Sequence, residues 1–275
     1  MNGGIEVKRN IIAFLTLILT ATLLLSACSG NQNPAKDDSL EAIKQAGKFV
    51  VGLDDAFAPM GFRDENGNIV GFDIDLAKEA AKRLGVEVEF KPIDWNSKEL
   101  ELKNKKIDMI WNGLTITEDR KKNMAFSKPY LVNTQIIIVP QDSSIKSKAD
   151  LAGKKVGVQM SSSSLEAVKK DKEVYESLAE LLEYPDNLEA LLDLKAGRID
   201  AVVADEILGR YYIEKRNENF VILDDNFGTE EYGVGLRLAD KALLKALDKV
   251  LDEMKQDGTM AEISKKWFGE DIIKK

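Results

Sequence analysis

Short apolar runs alternate with amphipathic stretches along most of this chain, and the two periods predict strands and helices in turn. Phe49-Val50-Val51-Gly52-Leu53 reads as a short buried strand. From Asp73 onward Leu76, Ala77, Ala80, Ala81 and Leu84 recur at helical spacing, and Gly85 can end that helix. Val86-Glu87-Val88-Glu89-Phe90 alternates as a half-buried strand does. Ile107-Asp108-Met109-Ile110-Trp111 is a further strand, and the β-branched run Thr134–Val139 is stopped by Pro140. Strands alternating with helices predict an α/β architecture with mostly parallel pairing.

An internal echo refines this picture. Leu102-Lys103-Asn104-Lys105-Lys106-Ile107-Asp108-Met109-Ile110 resembles Leu194-Lys195-Ala196-Gly197-Arg198-Ile199-Asp200-Ala201-Val202. Earlier in each half, Val50-Val51-Gly52-Leu53 resembles Lys155-Val156-Gly157-Val158. Both pairs occur in the same order, which predicts two similarly built α/β lobes, although helix-to-strand junctions in general look alike. Ligands of α/β sheets sit beyond the carboxyl ends of strands and favour domain interfaces. The loop after each echoed strand is therefore the place to look for a site.

The N-terminus has another pattern. Lys8 and Arg9 precede an uncharged, mostly apolar run from Ile11 to Leu25, short for a membrane span and of the length of a signal segment. Leu25-Ser26-Ala27-Cys28 then resembles the lipobox of bacterial lipoproteins, which implies cleavage before Cys28 and a lipid on its thiol. Residues 1–27 are thus expected to be a signal peptide. Residues 28–39 are polar and aperiodic, as in a flexible tether. The remainder is expected to be soluble and extracytoplasmic.

Composition narrows the chemistry. The 275 residues carry a net charge of −8, a pI of about 5.0, one cysteine and no histidine. The acidic balance argues against nucleic acid as a partner. One cysteine excludes an intramolecular disulfide framework and a multi-thiolate metal site, and without histidine Ser-His-Asp and Cys-His catalysis cannot be built. No cofactor is expected.

The strand-end loops contain a complementary set of groups. Asp54-Asp55-Ala56-Phe57 follows the first strand, where Phe57 packs either on a ligand or into the core. Asn112-Gly113-Leu114-Thr115-Ile116-Thr117-Glu118-Asp119-Arg120 follows the strand at 107–111. Thr117 suits a helix N-cap, and Arg120 either presents its planar fork to a carboxylate or pairs with Glu118 or Asp119. After the strand at 155–158 comes Gln159-Met160-Ser161-Ser162-Ser163-Ser164, where Ser163 and Glu166 fit a capping box and the helix start suits a carboxylate. Asp205 closes the apolar run Ala201–Ala204, either as the partner of an ammonium group or as a helix cap. Guanidinium, capping amides, strand-end acid and aromatic ring together complement an α-amino acid.

At these residues the chain resembles the polar-amino-acid subfamily of bacterial solute-binding proteins, the glutamine, histidine and lysine/arginine/ornithine receptor type. The marks are Gly71-Phe72-Asp73-Ile74-Asp75-Leu76, Thr115-Ile116-Thr117-Glu118-Asp119-Arg120, Phe126-Ser127-Lys128-Pro129-Tyr130, Ile199–Asp205, Asp257-Gly258-Thr259 and Lys266-Trp267-Phe268-Gly269. The resemblance runs from about Gly47 to Gly269. It implies a two-lobed type II periplasmic-binding fold, with residues 40–130 and 233–275 in lobe one and 135–228 in lobe two. Hinge strands are implied near 131–134 and 228–232. It further implies that Arg120 clamps the α-carboxylate and Asp205 holds the α-ammonium. Asn112, Gly113 and Thr115 line the same site, Asp54, Phe57 and Trp95 contact the ligand body, and Gln159, Ser162 and Ser163 form the lobe-two loop.

The implied role is a monomeric, lipid-anchored receptor of an ABC importer. It would close on one free polar or cationic amino acid, such as arginine, lysine, glutamine or histidine, and deliver it to the transmembrane permease. A dehydratase on the same fold and a sensor without transport are the alternatives. The Gln159-Met160-Ser161-Ser162-Ser163 loop and Trp111 before Asn112-Gly113 depart from the glycine, threonine and small residues common in the family, so side-chain specificity does not transfer.

Overall fold

A computed structural model describes residues 37–274. The expected signal segment, Cys28 and most of the expected tether lie outside the described residues.

Helix α1 (Ser39–Ala46) ends at Gly47, whose φ of +70° supplies the left-handed cap, and β1 (Lys48–Leu53) follows. Strands β2 (Ala56–Phe57), β3 (Gly61–Arg63) and β4 (Ile69–Val70) form a small antiparallel sheet. Next come α2 (Phe72–Leu84), β5 (Glu87–Pro92), a 3-10 turn at Trp95–Ser97, and α3 (Lys98–Lys103). After them lie β6 (Met109–Ile110), the single-turn α4 (Glu118–Lys121) and β7 (Met124–Phe126). The long β8 (Leu131–Pro140) leads to β9 (Lys155–Gln159), α5 (Ser163–Lys170), α6 (Lys172–Ser177), β10 (Glu180–Tyr184), α7 (Asn187–Lys195), β11 (Ala201–Asp205) and α8 (Glu206–Arg210). The long β12 (Phe220–Tyr232) returns the chain to β13 (Gly235–Arg237), α9 (Lys241–Gln256) and α10 (Thr259–Phe268).

Two five-stranded sheets result, ordered β5-β1-β6-β13-β7 and β10-β9-β11-β8-β12. In each sheet four strands run one way and one runs against them, β13 in the first sheet and β8 in the second. The two sheets and their covering helices are the two lobes. The strand expected over 107–111 is shorter, because the Ile107 carbonyl accepts from Arg237 Nη1 at 2.6 Å and Asp108 turns toward β1. The β-branched strand is longer than its apolar pattern and starts at Leu131.

The sequence echo is one packing unit used twice. Val50 N–H donates to Asp108 Oδ2 at 2.9 Å, and Lys155 N–H donates to Asp200 Oδ2 at 2.8 Å. A Cβ on Gly52 would lie 2.5 Å from Ile107 Cδ1, and one on Gly157 would lie 2.7 Å from Ile199 Cδ1. In both lobes the strand glycine therefore makes room for the isoleucine, and the following aspartate ties the helix exit to the strand. The repeat fixes equivalent strand ends, and hence equivalent loops, in both sheets.

Each sheet is covered by amphipathic helices. Helix α9 buries Leu243, Leu247, Val250, Leu251 and Met254, a stripe at helical spacing, and packs on α1, α2 and α10. Strand β8 alternates: Ile137 and Val139 join one apolar cluster, Ile136 and Ile138 another.

Candidate functional site

The carboxyl ends of β1, β6, β9 and β11 converge on one cavity. Asp54, Asn112, Gln159 and Asp205 each sit at or just beyond one of these ends. Asp54, Phe57, Trp95, Asn112, Gly113, Thr115, Arg120, Gln159, Ser162, Ser163 and Asp205 line the cavity. The structure thus brings together all eleven residues named from the sequence.

Arg120 is carried by α4, whose start is capped by Thr117 Oγ1 accepting the Arg120 N–H at 3.2 Å. Its two acidic neighbours are occupied: Lys121 pairs with Glu118 at 2.7 Å and Lys122 with Asp119 at 2.5 Å. Arg120 itself turns inward and is only 3% exposed. Its Nη1 donates to the Thr115 carbonyl at 2.9 Å and its Nη2 to the Ser161 carbonyl at 3.2 Å. A guanidinium has five N–H donors, so these two bonds leave a fork still able to take an anion. No carboxylate lies within ion-pair distance among the described residues, and burial pulls the guanidinium below its ordinary range.

Asp205 closes β11. It occupies the N-cap position of α8 without capping it. Its Oδ1 instead accepts from Asn133 Nδ2 at 2.6 Å, Gln135 Nε2 at 2.8 Å and Tyr232 Oη at 2.6 Å. All three donors are neutral, and no cation pairs with it among the described residues. Burial, and then the charge of Glu230, hold its carboxyl well above the ordinary range.

Thr115 and Ser163 join the two sides, their hydroxyl oxygens 2.9 Å apart. Gln159 spans them as well, with Nε2 donating to Asp54 Oδ2 at 2.7 Å and Asn187 Nδ2 donating to its Oε1 at 3.1 Å. Burial raises Asp54 from 3.8 to about 6, and the nearby charges of Asp186 and Asp55 add to that. Gly113 adopts a φ of +56°, and a Cβ there would meet Phe57 Cε1 at 2.8 Å. The ring of Phe57 thus packs directly on the bare backbone of the loop.

One detail differs from the sequence expectation. The cap of α5 is Ser162, whose Oγ accepts the Leu165 N–H at 3.1 Å, not Ser163 in a box with Glu166. Ser163 is the first helical residue, and its Oγ faces Thr115 and, at 3.2 Å, Gln135 Nε2. Its hydroxyl is engaged in the cavity wall, so the residue before it satisfies the helix start.

Several residues of the site went unnamed in the sequence reading. Glu230 Oε1 accepts from Thr115 Oγ1 at 2.7 Å, Gln135 Nε2 at 2.8 Å and Asn133 Nδ2 at 2.9 Å. Asn133 and Gln135 on β8 and Tyr232 on β12 fix Asp205. Asp73, in the first turn of α2, accepts the Gly113 N–H at 2.7 Å and the Tyr130 hydroxyl at 2.9 Å. The available signals were weak: polar residues inside apolar strands for Asn133 and Gln135, and an acid in the Gly71–Leu76 motif for Asp73.

Comparison with known proteins bears on the same region. The family described as bacterial extracellular solute-binding proteins, family 3, matches residues 49–270. The L-cystine-binding protein TcyJ of Escherichia coli (strain K12) is 34% identical over 242 residues, covering 87% of this chain and 90% of the relative. The arginine-binding extracellular protein ArtP of Bacillus subtilis (strain 168) is 33% identical over 261 residues, covering 93% of this chain and 97% of the relative. A crystal structure of an ABC uptake transporter substrate-binding protein from Streptococcus pneumoniae with bound histidine superposes with a TM-score of 0.85. It is 35% identical and covers 88% of this chain and 100% of that one.

Proposed function

The chain belongs to family 3 of the bacterial extracellular solute-binding proteins, and on that footing we propose that it is the amino-acid receptor of an ABC importer. It takes one polar or cationic L-amino acid between its lobes and hands it to a membrane permease.

One observation carries the reading. One cavity holds a guanidinium on one sheet's loops and a carboxyl on the other's, neither with an oppositely charged partner among the described residues. Unpaired buried charges are costly. A zwitterion satisfies both at once, its carboxylate at Arg120 and its ammonium at Asp205. The relatives named for cystine and arginine, and the structure with bound histidine, share the α-amino-acid head and differ in side chain. The head-group reading therefore does not depend on which side chain is bound. Asp54, with Asp55 and Asp186 behind it, favours a cationic or amide side chain between Phe57 and Trp95.

Binding proceeds by closure. The ligand touches both lobes only when they meet, so its differential contacts shift the open–closed population. Strands β8 and β12, which carry the chain between the sheets, act as the hinge near residues 131–134 and 228–232. The receptor works as a monomer outside the cytoplasmic membrane, held there by a lipid on Cys28.

A melting-temperature screen of the twenty amino acids with ornithine and cystine tests the reading. A ligand at a hundred times its dissociation constant adds about 2.7 kcal/mol of stability. Arg120→Ala is expected to remove that shift while the ligand-free protein still folds. Calorimetric affinity in Arg120→Ala close to that of the unmodified protein would sink the assignment. Loss of labelled fatty acid in Cys28→Ser tests the anchor.

A further inference from the structure

Outside the cavity lining, one buried cation bridges the two lobes. Lys98, the first residue of α3 on the sheet-one side, is 3% exposed. Its Nζ donates to the Trp95 carbonyl at 3.0 Å and to the Ser161 carbonyl at 2.9 Å, and lies 4.9 Å from the centre of the Trp95 ring. Ser161 follows β9 on the sheet-two side. The same carbonyl accepts Arg120 Nη2 at 3.2 Å. A carbonyl oxygen has two lone pairs, and here both are directed at cations of the opposite lobe. Ser161 holds a φ of +55°, a left-handed conformation uncommon for a residue with a Cβ. That turn aims its carbonyl across the cleft.

We propose that Lys98 is the latch of the closed receptor: its bond to the Ser161 carbonyl slows release of the bound amino acid without touching it. The proposal rests on the amino-acid-receptor reading. A lysine that only stabilised its own lobe would need no acceptor on the other, and Lys98 has no ion-pair partner among the described residues. The charged groups facing it are Arg120, which repels it, and Glu99 and Glu166, which attract it. Burial, followed by Arg120, brings its ammonium from 10.5 down to about 7. A ligand carboxylate on Arg120 cancels that repulsion, so the latch is strongest when cargo is present. This links ligand and latch through Arg120, and Lys98 is a positioning residue for closure rather than a ligand contact.

The test uses stopped-flow binding, with whichever of L-arginine, L-histidine, L-glutamine and L-cystine raises the melting temperature most as the probe. A hydrogen bond to a charged group is worth about 1.5–3 kcal/mol, so Lys98→Met is expected to raise the dissociation rate at least about tenfold. The association rate should stay within about twofold, because affinity changes within one interface reside mostly in dissociation. Lys98→Arg, which keeps a charged donor, is expected to recover most of the lost residence time. Lys98→Gln serves if Lys98→Met does not fold. An unchanged dissociation rate in Lys98→Met or Lys98→Gln, with wild type binding normally, overturns the latch alone. Equal impairment of Lys98→Arg and Lys98→Met, with a lowered ligand-free melting temperature in both, also overturns it in favour of a structural role. A wild-type protein that binds none of the four probes overturns the receptor reading and the latch with it.

Discussion

Asp73 accepts the backbone N–H of Gly113 at 2.7 Å, so a helix residue that does not line the cavity sets the conformation of a loop that does. The same oxygen takes the Tyr130 hydroxyl, and Tyr130 leads directly into β8. Helix α2, the loop at 112–115 and the start of the crossing strand are thereby tied at one buried carboxyl. In Asp73→Ala the Gly113 N–H and the Tyr130 hydroxyl lose their acceptor. Denaturant unfolding should show a loss of about 1–3 kcal/mol for each group left unpaired. Ligand affinity should fall as well, although no cavity-lining side chain changes. Unaltered affinity in a folded Asp73→Ala would mean that the loop holds its shape without this bond.

Gly71 presents a sharper steric case. At a φ of +149°, a Cβ there would lie 2.2 Å from the Met60 carbonyl oxygen, a backbone atom that also accepts the Asp73 N–H at 2.9 Å. Backbone strain and overpacking together are expected to cost about 2–5 kcal/mol in Gly71→Ala. Gly153, at a φ of +70° with nothing within 4 Å of its Cβ position, is the control. Gly153→Ala should lose only about 1–2 kcal/mol, from the left-handed conformation alone. Equal losses in the two variants would contradict the steric account.

Asp205 separates stability from function. Its carboxylate is buried, unpaired and held up by burial and by Glu230. Asparagine at this position keeps an oxygen for the Asn133, Gln135 and Tyr232 donors and cannot ionise to meet an ammonium group. Asp205→Asn is therefore expected to leave ligand-free stability equal or to raise it by about 0.5–2 kcal/mol. Amino-acid affinity should drop by about 2–5 kcal/mol, the usual loss when one member of a buried charge pair is removed. The combination is read by parallel melting and calorimetry. A variant that loses stability but binds normally would reverse the assignment of the ammonium site.

Glu230 shows where sequence reading stops. Ten of the eleven cavity residues are legible in the loops that follow strand ends, which the repeated Ile-Asp unit helps to mark in both lobes, whereas Trp95 is named only through the family resemblance. Glu230 lies in a run of two acids on β12, and nothing in Thr229-Glu230-Glu231-Tyr232 says which one faces inward. Side-chain parity along a strand normally would, but the pairing of β12 with β8 shifts register between Ile222 and Asn226 and again before Thr229. Glu231 goes outward to Lys274, and Glu230 goes inward to Thr115, Asn133 and Gln135. Lys98 was hidden for a related reason, since its acceptor across the cleft is a backbone carbonyl that no sequence pattern identifies. Two-lobe architecture, repeat and strand-end chemistry are local properties, whereas these contacts form only when distant segments meet.

Removing the charge of Glu230 gives a specific readout. In Glu230→Gln the repulsion that helps raise the Asp205 carboxyl disappears. The pH at which amino-acid binding reaches half its maximum should move to lower pH, because Asp205 ionises more readily. Calorimetric titrations from pH 5 to pH 8 on both proteins measure that midpoint. An unmoved midpoint would show that the two carboxylates do not interact across the cavity wall.

The ligand-free protein carries a pH dependence of its own. Burial raises Asp73 from 3.8 to about 7 and Asp54 from 3.8 to about 6, and Asp205 is raised in the same direction. Near pH 5 these carboxyls hold protons in the folded state that the unfolded chain has released. Raising the pH from 5 to 7 strips protons from the folded state alone, so stability falls across that window. Asp257, held at about 2 chiefly by Arg83, stays ionised throughout and adds nothing to the trend. Lys98 acts in the opposite sense, since its folded value of about 7 lies below the ordinary 10.5. Above pH 7 the folded state loses that proton before the unfolded chain does, which stabilises it as pH rises. The melting temperature without ligand should therefore drop from pH 5 toward pH 7 and then level. A change of about 1–2 kcal/mol corresponds to roughly 2–8 °C for a protein of this size. A bound amino acid places an ammonium on the ionised Asp205, so the ligand-induced gain in melting temperature should grow over the same interval. Calorimetry in buffers of different ionisation enthalpy should register proton release on binding near pH 6. A ligand-free melting temperature that climbs steadily from pH 5 to pH 7 would show that Asp73 and Asp54 are not carrying buried protons.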